Sequence, residues 1–262
     1  MTFIPTEFSA DDSTVLLAEN KPFICRPVKG ENHAAALLVH GFTATPHEMA
    51  PLARHLAARG ITSVAVRLPG HGTTEQDLAQ RSFEEWVEAV ISGHQFLQKE
   101  QQQIVAVGLS TGAMVALAAH LEHKFDGVVL LSPYLRIRHR LAPWAGLLRY
   151  FIHYQTREIP LAERPYYYRK RPMQGIHQIN RLIQKVKKKL ASITVPALVI
   201  CSEGDQTIDP KSAVELYQQL GSHNKDLHKF GGEVPHVLTT AENPKQKEVF
   251  NLISRFIESV RC

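Results

Sequence analysis

A serine stands between two glycines at the spacing G-x-S-x-G, in the stretch Gly108-Leu109-Ser110-Thr111-Gly112. An apolar, β-branched run precedes it at 104–107, and a run of small residues with helical character follows it at 113–119. This order predicts a strand, a sharp turn with Ser110 at its apex, and a helix, which is the context in which the spacing marks a nucleophile. The strained turn would hold the hydroxyl clear of the sheet, and the glycines would avoid collisions with neighbouring backbone.

A glycine-rich strand-to-helix turn with an incidental serine is the plain alternative, so the partners of Ser110 decide the interpretation. A serine nucleophile needs a base, an acid that orients the base, and N–H donors for the oxyanion. Where the serine sits on such a turn, the acid and then the histidine follow it along the chain.

Three carboxylates compete for the role of the acid. The apolar segment 197–201 predicts a late strand, and the loop after it holds Glu203, Asp205 and Asp209. Asp209 stands directly before Pro210, which is an N-cap position followed by proline at the first helical residue. Because this gives Asp209 a structural role, Asp205 is the predicted acid, with Asp209 and Glu203 as alternatives.

Fourteen histidines compete for the role of the base. His236 is favoured by position, because it follows a predicted short strand at 226–230 and a Gly/Pro turn at 231–235, and it precedes the last predicted helix. A loop of that kind would carry the imidazole over the sheet to the serine. His228 would lie inside the strand and His223 before it, so both are weaker candidates.

Two backbone amides are predicted to form the oxyanion hole. Thr111 N–H follows the nucleophile directly, and Phe42 N–H follows the predicted strand 34–39 in a loop where Gly41 permits close approach. Each donor would stabilise the transition state by roughly 3 kcal/mol. Structural roles are favoured for two histidines beside these loops, His40 and His71.

The elements that would position these residues alternate between apolar strands and helices. Strands are predicted over Ala34–Val39, Ile61–Val66, 104–107, Gly127–Leu131, Ala197–Cys201 and Asp226–Phe230. Helices are predicted from Pro46 to Gly60, from the cap Ser82 onward, after Ser110, over Pro210–Leu220 and over Glu248–Val260. Alternation with continuous apolar strands is typical of a parallel sheet covered on both faces. Pro27 predicts that Phe23–Val28 is an edge strand.

One segment differs from the rest in charge and composition. Residues 133–192 hold 14 Lys/Arg and two acids, or +12, whereas the remainder carries −7. The segment also contains six of the seven tyrosines and five prolines, which predict short helices and one longer amphipathic helix over 176–190. We therefore expect a core formed by 1–132 and 193–262, with 133–192 inserted as a basic, aromatic-rich cap.

Length, hydropathy and cysteine content limit the class of protein further. The 262 residues suit one large α/β domain, and no apolar run approaches the ~20 residues of a membrane span. The first 20 residues lack a secretory signal pattern, so a cytoplasmic location is expected. Three scattered cysteines, Cys25, Cys201 and Cys262, match neither a disulfide framework nor a metal spacing.

Together these motifs resemble the α/β-hydrolase superfamily, and within it bacterial carboxylesterases and monoacylglycerol-lipase-like enzymes. The resemblance rests on His40-Gly41-Phe42-Thr43-Ala44-Thr45-Pro46, Leu68-Pro69-Gly70-His71-Gly72, the Ser110 stretch, Gly204-Asp205-x-x-Ile208 and Pro235-His236. It implies the α/β-hydrolase fold with an inserted helical cap, and a reaction without metal or cofactor. The charge of the cap departs from those enzymes and leaves the substrate open, and Ala113 stands where many relatives have glycine.

The predicted function is that of a serine carboxylic-ester hydrolase acting on acyl lipids such as monoacylglycerol or lysophospholipid. A short-chain carboxylesterase on soluble esters, acyl transfer, thioester cleavage and a hydrolase-fold protein that only binds a small molecule are alternatives. The expected partner is a small-molecule acyl ester. The cationic face of the cap could also contact anionic membrane, at about 1 kcal/mol per basic residue near the surface. No nucleic-acid partner is expected.

Overall fold

In the computed structural model of the chain, residues 2–5, 12–28, 34–100, 103–137 and 144–260 are described. Ten strands run in chain order: β1 (Thr2–Pro5), β2 (Phe23–Arg26), β3 (Ala34–Val39), β4 (Thr62–Val66), β5 (Gln103–Leu109), β6 (Gly127–Leu131), β7 (Tyr154–Thr156), β8 (Lys170–Pro172), β9 (Ala197–Ser202) and β10 (Lys225–Phe230). The helices are α1 (Ala50–Ala58), α2 (Glu75–Gln80), α3 (Phe83–Gln98), α4 (Thr111–Glu122), α5 (Ala145–Leu148), α6 (Met173–Lys187), α7 (Pro210–Gln219) and α8 (Gln246–Ser259). Cys262 lies outside the described residues.

Eight of the strands form one sheet in the order β1-β2-β4-β3-β5-β6-β9-β10. From β4 to β10 every neighbouring pair is parallel, while β1 and β2 join antiparallel at one end. Helices connect successive parallel strands, as the alternation of apolar strands and helices predicted. The predicted mostly parallel α/β architecture is confirmed.

Helices cover both faces of this sheet. All six residues of β3 are buried, and their side chains alternate between two apolar clusters. Leu37 packs on the side of α3 and α4, whereas Leu38 packs on the side of α1 and α8. Burial on both faces is why the inner strands are continuously apolar rather than alternating. No helix in the described ranges is long and apolar enough to cross a membrane.

The prediction that Phe23–Val28 is an edge strand is wrong. Strand β2 covers Phe23–Arg26 and pairs with β4 on one side and β1 on the other, so β1 is the outer strand. Pro27 lies just past the last paired residue, so its missing N–H removes no hydrogen bond between the strands. The proline marks where the strand ends, not which strand is outermost.

The segment between β6 and β9 contains both helical and extended structure. Its longest element, α6, buries Ile179, Leu182 and Val186 against the core, as the amphipathic pattern predicted. The strands β7 and β8 pair antiparallel and form a two-stranded ribbon, the β7–β8 ribbon. The proline count predicted short helices here and did not predict this ribbon.

A buried ion pair fixes the loop that follows β4. Arg67 and Asp12 are each about 1% exposed, and Arg67 Nε donates to Asp12 Oδ1 at 2.6 Å. Arg67 Nη1 also donates to the carbonyl oxygen of His71 at 2.9 Å. The pair therefore attaches the N-terminal segment to the loop 68–72, whose Leu68 N–H donates to His40.

Asp12→Ala should lower the free energy of unfolding by about 3 to 5 kcal/mol, because it leaves a guanidinium without its carboxylate in the interior. Urea denaturation measures the change. The exposed pair Arg26–Glu100, at 2.5 Å, supplies the control. Glu100→Ala should cost at most about 1 kcal/mol. Equal losses in the two variants would show that the buried pair has no special role.

Candidate active site

Ser110 lies between β5 and α4 in a backbone conformation that L-residues rarely adopt, with φ 56° and ψ −117°. Its N–H donates to the carbonyl oxygen of Leu131, at the end of the neighbouring strand β6, over 2.7 Å. Strain of this kind persists only where the surroundings over-determine it. Here the turn ends the strand abruptly and starts the helix in the next residue, as the sequence pattern predicted.

The two glycines of the turn are required by close backbone contacts. A Cβ atom at Gly108 would lie 2.4 Å from the carbonyl oxygen of Gly112 and 2.5 Å from Ala113 Cα. A Cβ atom at Gly112 would lie 2.3 Å from the carbonyl oxygen of Val39, at the end of β3. The helix start is thus pressed against two strands, and only glycine fits at either position.

The structure brings Ser110, His236 and Asp205 together in one chain of hydrogen bonds. Ser110 Oγ is 2.9 Å from His236 Nε2, and His236 Nδ1 is 2.5 Å from Asp205 Oδ2. The other oxygen of the buried Asp205 carboxylate accepts from the backbone N–H groups of Thr207 and Ile208 at 2.7 and 2.9 Å. The carboxylate is therefore fixed by its own loop and fixes the imidazole in turn.

The loop that carries His236 is attached to the ends of two strands. Ser132 Oγ, just after β6, donates to the carbonyl oxygen of His236 at 2.8 Å. Ser202 Oγ, at the end of β9, donates to the carbonyl oxygen of Val234. A Cβ atom at Gly204 would lie 2.6 Å from that same carbonyl. These contacts hold the imidazole over the sheet independently of its bond to Asp205.

The alternatives considered for the acid and the base lie elsewhere. Asp209 caps α7, where its carboxylate accepts from the Lys211 N–H at 3.0 Å. Glu203 is exposed, His228 lies within β10 and His223 is exposed before it.

Two free amides face the region of the serine. Among the described residues, neither the Phe42 N–H nor the Thr111 N–H donates a hydrogen bond to a protein group. A Cβ atom at Gly41 would lie 3.7 Å from Ser110 Cβ, so the loop of Phe42 passes directly beside the serine. The first residue of α4 is Thr111, where the helix dipole favours negative charge.

His40 fixes the peptide that carries the Phe42 amide. Its ring Nδ1 lies 2.9 Å from the carbonyl oxygen of Gly41, and its Nε2 accepts from the Leu68 N–H at 3.1 Å. Burial holds the pKa of His40 well below its usual range, so the ring is neutral and Nδ1 is the donor. Since the carbonyl points toward His40, the N–H of the same trans peptide points the other way. His71 is equally buried, with its Nδ1 near the Leu68 and Pro69 carbonyls, so both histidines have structural contacts.

The amide of Gly41, one residue before Phe42, is held by Glu48, a buried carboxylate that the sequence analysis did not single out. Glu48 Oε2 accepts from the Gly41 N–H at 2.7 Å, and Glu48 Oε1 accepts from the Tyr167 hydroxyl at 3.0 Å. Desolvation raises the pKa of Glu48 above its ordinary value. An acidic residue in the first turn of a helix, as Glu48 is after Pro46, is ordinarily exposed and interacts favourably with the helix dipole. No local signal could therefore have indicated this interior role.

The segment 133–192 is attached to the same loop at two further points. Tyr168 N–H donates to the Thr43 carbonyl oxygen at 2.9 Å, and Arg157 Nη2 donates to Thr43 Oγ1 at 3.2 Å. Thr43 itself has a positive φ of 65°. The inserted segment thus helps to hold a strained loop in place.

A cavity of about 450 Å³ opens over Ser110 and is divided in character. Four of its apolar lining residues, Phe42, Ile137, Met173 and Ile176, belong to one packed cluster. The other apolar lining residues are Leu109, Tyr134, Ile179, Ile208 and Val237. The polar lining residues include Glu48, Gln155, Arg157, Tyr167, Arg171, Gln206 and Thr207. Within the described ranges no group of three or more His, Cys, Asp or Glu side chains could hold a metal ion.

A mostly parallel sheet with a serine on a strained strand-to-helix turn defines the class of α/β-hydrolases. The chain belongs to the family Hydrolase_4, described as serine aminopeptidase S33, whose profile matches residues 30–238. It is 34% identical over 221 residues to the thermostable monoacylglycerol lipase of Bacillus sp. (strain H-257), covering 80% of this chain and 87% of the lipase. It is 29% identical over 210 residues to a carboxylesterase of Bacillus subtilis (strain 168), covering 78% and 85% respectively. The chain is therefore a hydrolase of the esterase and lipase type, as its motifs predicted.

Solved structures share the fold across nearly the whole chain. A structure from the metagenome-derived lipolytic enzymes LipS and LipT superposes with a TM-score of 0.82 at 22% identity, covering 93% of this chain and 99% of that one. A soluble variant of the monoglyceride lipase of Saccharomyces cerevisiae superposes with a TM-score of 0.73 at 18% identity, covering 92% and 91%. The predicted α/β-hydrolase fold is confirmed.

Glu48→Ala should lower kcat by up to about 100-fold with a smaller effect on KM, because it frees the Gly41 peptide that precedes a candidate oxyanion donor. Glu48→Gln should recover most of the rate, since its amide oxygen can still accept from the Gly41 N–H. Steady-state hydrolysis of a soluble p-nitrophenyl ester measures both constants. Glu88→Ala, at an exposed position of α3, is the control. Equal rates for Glu48→Ala and wild type would contradict this role.

Proposed function

We propose that the protein is a serine carboxylic-ester hydrolase that cleaves acyl lipids, such as monoacylglycerols or lysophospholipids, through an acyl-enzyme. The observation that carries the proposal is the hydrogen-bonded chain from Ser110 through His236 to Asp205 at the base of the cavity. A nucleophile, a base and an orienting acid stand there in the order and distances that acyl transfer requires.

Acylation begins when Ser110 Oγ attacks the ester carbonyl carbon. His236 Nε2 takes the hydroxyl proton as the new C–O bond forms, and Asp205 stabilises the imidazolium that results. The carbonyl oxygen becomes an oxyanion, which accepts from the amides of Phe42 and Thr111. When the tetrahedral intermediate collapses, the bond to the alcohol oxygen breaks and His236 returns the proton to that oxygen.

Deacylation repeats the sequence with water. His236 takes a proton from the water as its oxygen attacks the acyl carbon, and the same two amides receive the second oxyanion. Collapse releases the carboxylic acid and returns the proton to Ser110 Oγ. Every proton and electron pair is accounted for by these groups, so the scheme calls on no metal or cofactor.

The choice of lipid esters is supported by the relatives and by the cavity. One relative is named as a monoacylglycerol lipase. The volume of about 450 Å³ falls within the range of small-molecule sites, and the apolar cluster in its lining suits an acyl chain. The polar part suits the alcohol side of the ester.

We assign residues 133–192 as a cap over a core formed by 1–132 and 193–262. Cap residues contribute much of the cavity lining, among them Tyr134, Arg157, Tyr167 and Ile176. The cap would therefore select the substrate, while the core supplies the reacting groups. The cytoplasmic location expected from the sequence stays a prediction.

A short-chain carboxylesterase is the second candidate. A relative named as a carboxylesterase favours it, as does the polar part of the cavity. Rates that fall as the acyl chain lengthens would select this candidate over a lipase. Binding of an ester without Ser110-dependent release of product would instead favour a protein that only binds its ligand.

Ser110→Ala should lower kcat on acyl esters by at least about 10⁴-fold, because the nucleophile is lost. Product release from a panel of esters, from short soluble chains to long-chain monoacylglycerol and lysophospholipid, measures the effect. A fluorophosphonate probe followed by peptide mass spectrometry should label Ser110 in the wild type. Labelling at another serine, or equal turnover by the variant, would refute the assignment.

The two aspartates of the loop after β9 provide a matched comparison for the acid. Asp205→Asn should lower kcat by about 10⁴-fold, because it disturbs the imidazole tautomer. Asp209→Asn removes the same charge four residues away, keeps an N-cap acceptor, and should leave kcat near the wild-type value. Similar activities for the two variants would remove Asp205 from the mechanism.

We also propose that the cap contacts anionic membrane. A groove of about 1150 Å³ along α6 is lined by several basic side chains, and Lys188 and Lys189 make no ion pair with the described residues. Nearer the beginning of α6, where Gly146 lies next to His177, Trp144, Leu147 and Phe151 are 64%, 58% and 76% exposed. A segment that combines exposed aromatics with unpaired lysines is typical of surfaces that bind the membrane interface.

The double variant Lys188→Gln/Lys189→Gln should bind anionic vesicles about 30-fold more weakly, because it removes two basic residues at about 1 kcal/mol each. Sedimentation with phosphatidylglycerol-containing vesicles measures binding. Lys211→Gln/Lys247→Gln removes the same charge from exposed positions of the core and should bind like wild type. Equal losses would attribute the binding to overall charge, and no binding by wild type would refute the contact.

A further inference from the structure

Three polar side chains share one face of the β7–β8 ribbon and point into the cavity over Ser110. Gln155 of β7 and Arg171 of β8 are register partners, so their side chains lie on the same face. Arg157 follows Gln155 by two residues and lies on that face as well. All three line the cavity. The ribbon therefore presents two guanidinium groups to the substrate.

The two arginines differ in their partners. Arg157 donates to the carbonyl oxygen of Tyr168 and to Thr43 Oγ1. Burial lowers the pKa of Arg157, and the Glu48 carboxylate acts in the opposite direction. Arg171 has no hydrogen bond or ion pair from its side chain to any described residue, and its Nε is buried without a partner. Of the two guanidinium groups, only that of Arg157 therefore has hydrogen-bond partners among the described residues.

The surroundings of Arg171 oppose its charge. Burial lowers the pKa of Arg171 to about 10, and the neighbouring Arg157 adds to the lowering. The group that acts in the other direction is the hydroxyl of Tyr134, which burial keeps protonated by raising its pKa to about 12. A desolvated guanidinium without a counter-ion is costly, and an anionic ligand would relieve that cost.

Other arginines of the same segment do have acidic partners. Arg169, two residues before Arg171, pairs with Glu158 at 3.1 Å, and Arg181 pairs with Glu84 at 2.7 Å. Both of these arginines are exposed, where an ion pair contributes little. Arg171 differs from these two arginines because it lines the cavity and has no acidic partner among the described residues.

We infer that Arg171 binds an anionic group, a carboxylate or a phosphate, on the alcohol part of the ester substrate. The planar guanidinium can donate two parallel hydrogen bonds to either anion, and Gln155 beside it can donate another. The apolar cluster that contains Met173 and Ile176 suits the acyl chain, and the polar lining residues Gln155 and Arg171 then remain for the alcohol part. This inference rests on the proposed ester hydrolysis and specifies its substrate class.

Three octanoyl esters that differ only in the alcohol test the inference. The alcohols are glycerol, glycerol phosphate and hydroxypropanoate, which are neutral, phosphate-bearing and carboxylate-bearing. Wild type should show a kcat/KM for at least one anionic ester about 10- to 100-fold above that of the glycerol ester, the range of charge-assisted hydrogen bonds. The phosphate and carboxylate esters together show which anion the site prefers.

Variants at neighbouring arginines separate recognition from overall charge. Arg171→Gln should reduce the anionic-to-neutral ratio of kcat/KM to about one, and Arg171→Lys should retain part of it. Arg169→Gln removes an equal charge outside the cavity and should keep the wild-type ratio. Thermal melting of each variant shows that the comparison is made between folded proteins.

A binding measurement supplies a readout besides turnover. Glycerol phosphate should raise the melting temperature of Ser110→Ala, and this shift should vanish in Ser110→Ala/Arg171→Gln. Ser110-dependent hydrolysis without preference for either anionic ester, or a preference that Arg171→Gln retains, overturns the inference and leaves ester hydrolysis standing. Absence of Ser110-dependent hydrolysis of all three esters, with no melting shift from glycerol phosphate, overturns both.

Discussion

The placement of one serine in a forbidden backbone conformation constrains most of this structure. Ser110 can hold φ 56° only because its N–H is bound at the end of β6 and the helix behind it is pressed against β3. Those contacts need three adjacent parallel strands whose carboxyl ends meet at one edge. The apolar core on both faces of the sheet supplies the packing that holds them. The strain is thus supported by long-range structure, not by the turn itself.

Much of the fold and of the candidate site could be predicted because the relevant signals are local. The glycines at 108 and 112 belong to a five-residue pattern that can be recognised without knowing that Gly112 packs against Val39. Asp209 is likewise recognisable as a cap from the proline that follows it. Removing Asp209 by that argument left Asp205, which the structure places against His236. Where one residue has a local structural role, its neighbour becomes the better functional candidate.

Features that depend on distant chain segments could not be predicted. Strand β1 is the outer strand because it pairs with β2, and Pro27 gives no sign of this pairing because it lies beyond the paired residues. The β7–β8 ribbon is a pairing of two short segments without alternating apolar residues. Glu48 and Arg171 have ordinary sequence neighbours, and only the folded chain buries one and leaves the other without a partner. Their roles arise from desolvation, which a local pattern does not encode.

The Glu48 carboxylate joins two distant parts of the chain, because one oxygen binds the Gly41 amide and the other binds the hydroxyl of Tyr167, 119 residues after Glu48. Such a shared acceptor couples the position of Tyr167 to the order of the Gly41 loop. In the proposed mechanism, an oxyanion that orders this loop would by reciprocity favour the same placement of the tyrosine by an equal free energy. Release of the carboxylic acid would remove that preference from the loop and the tyrosine together.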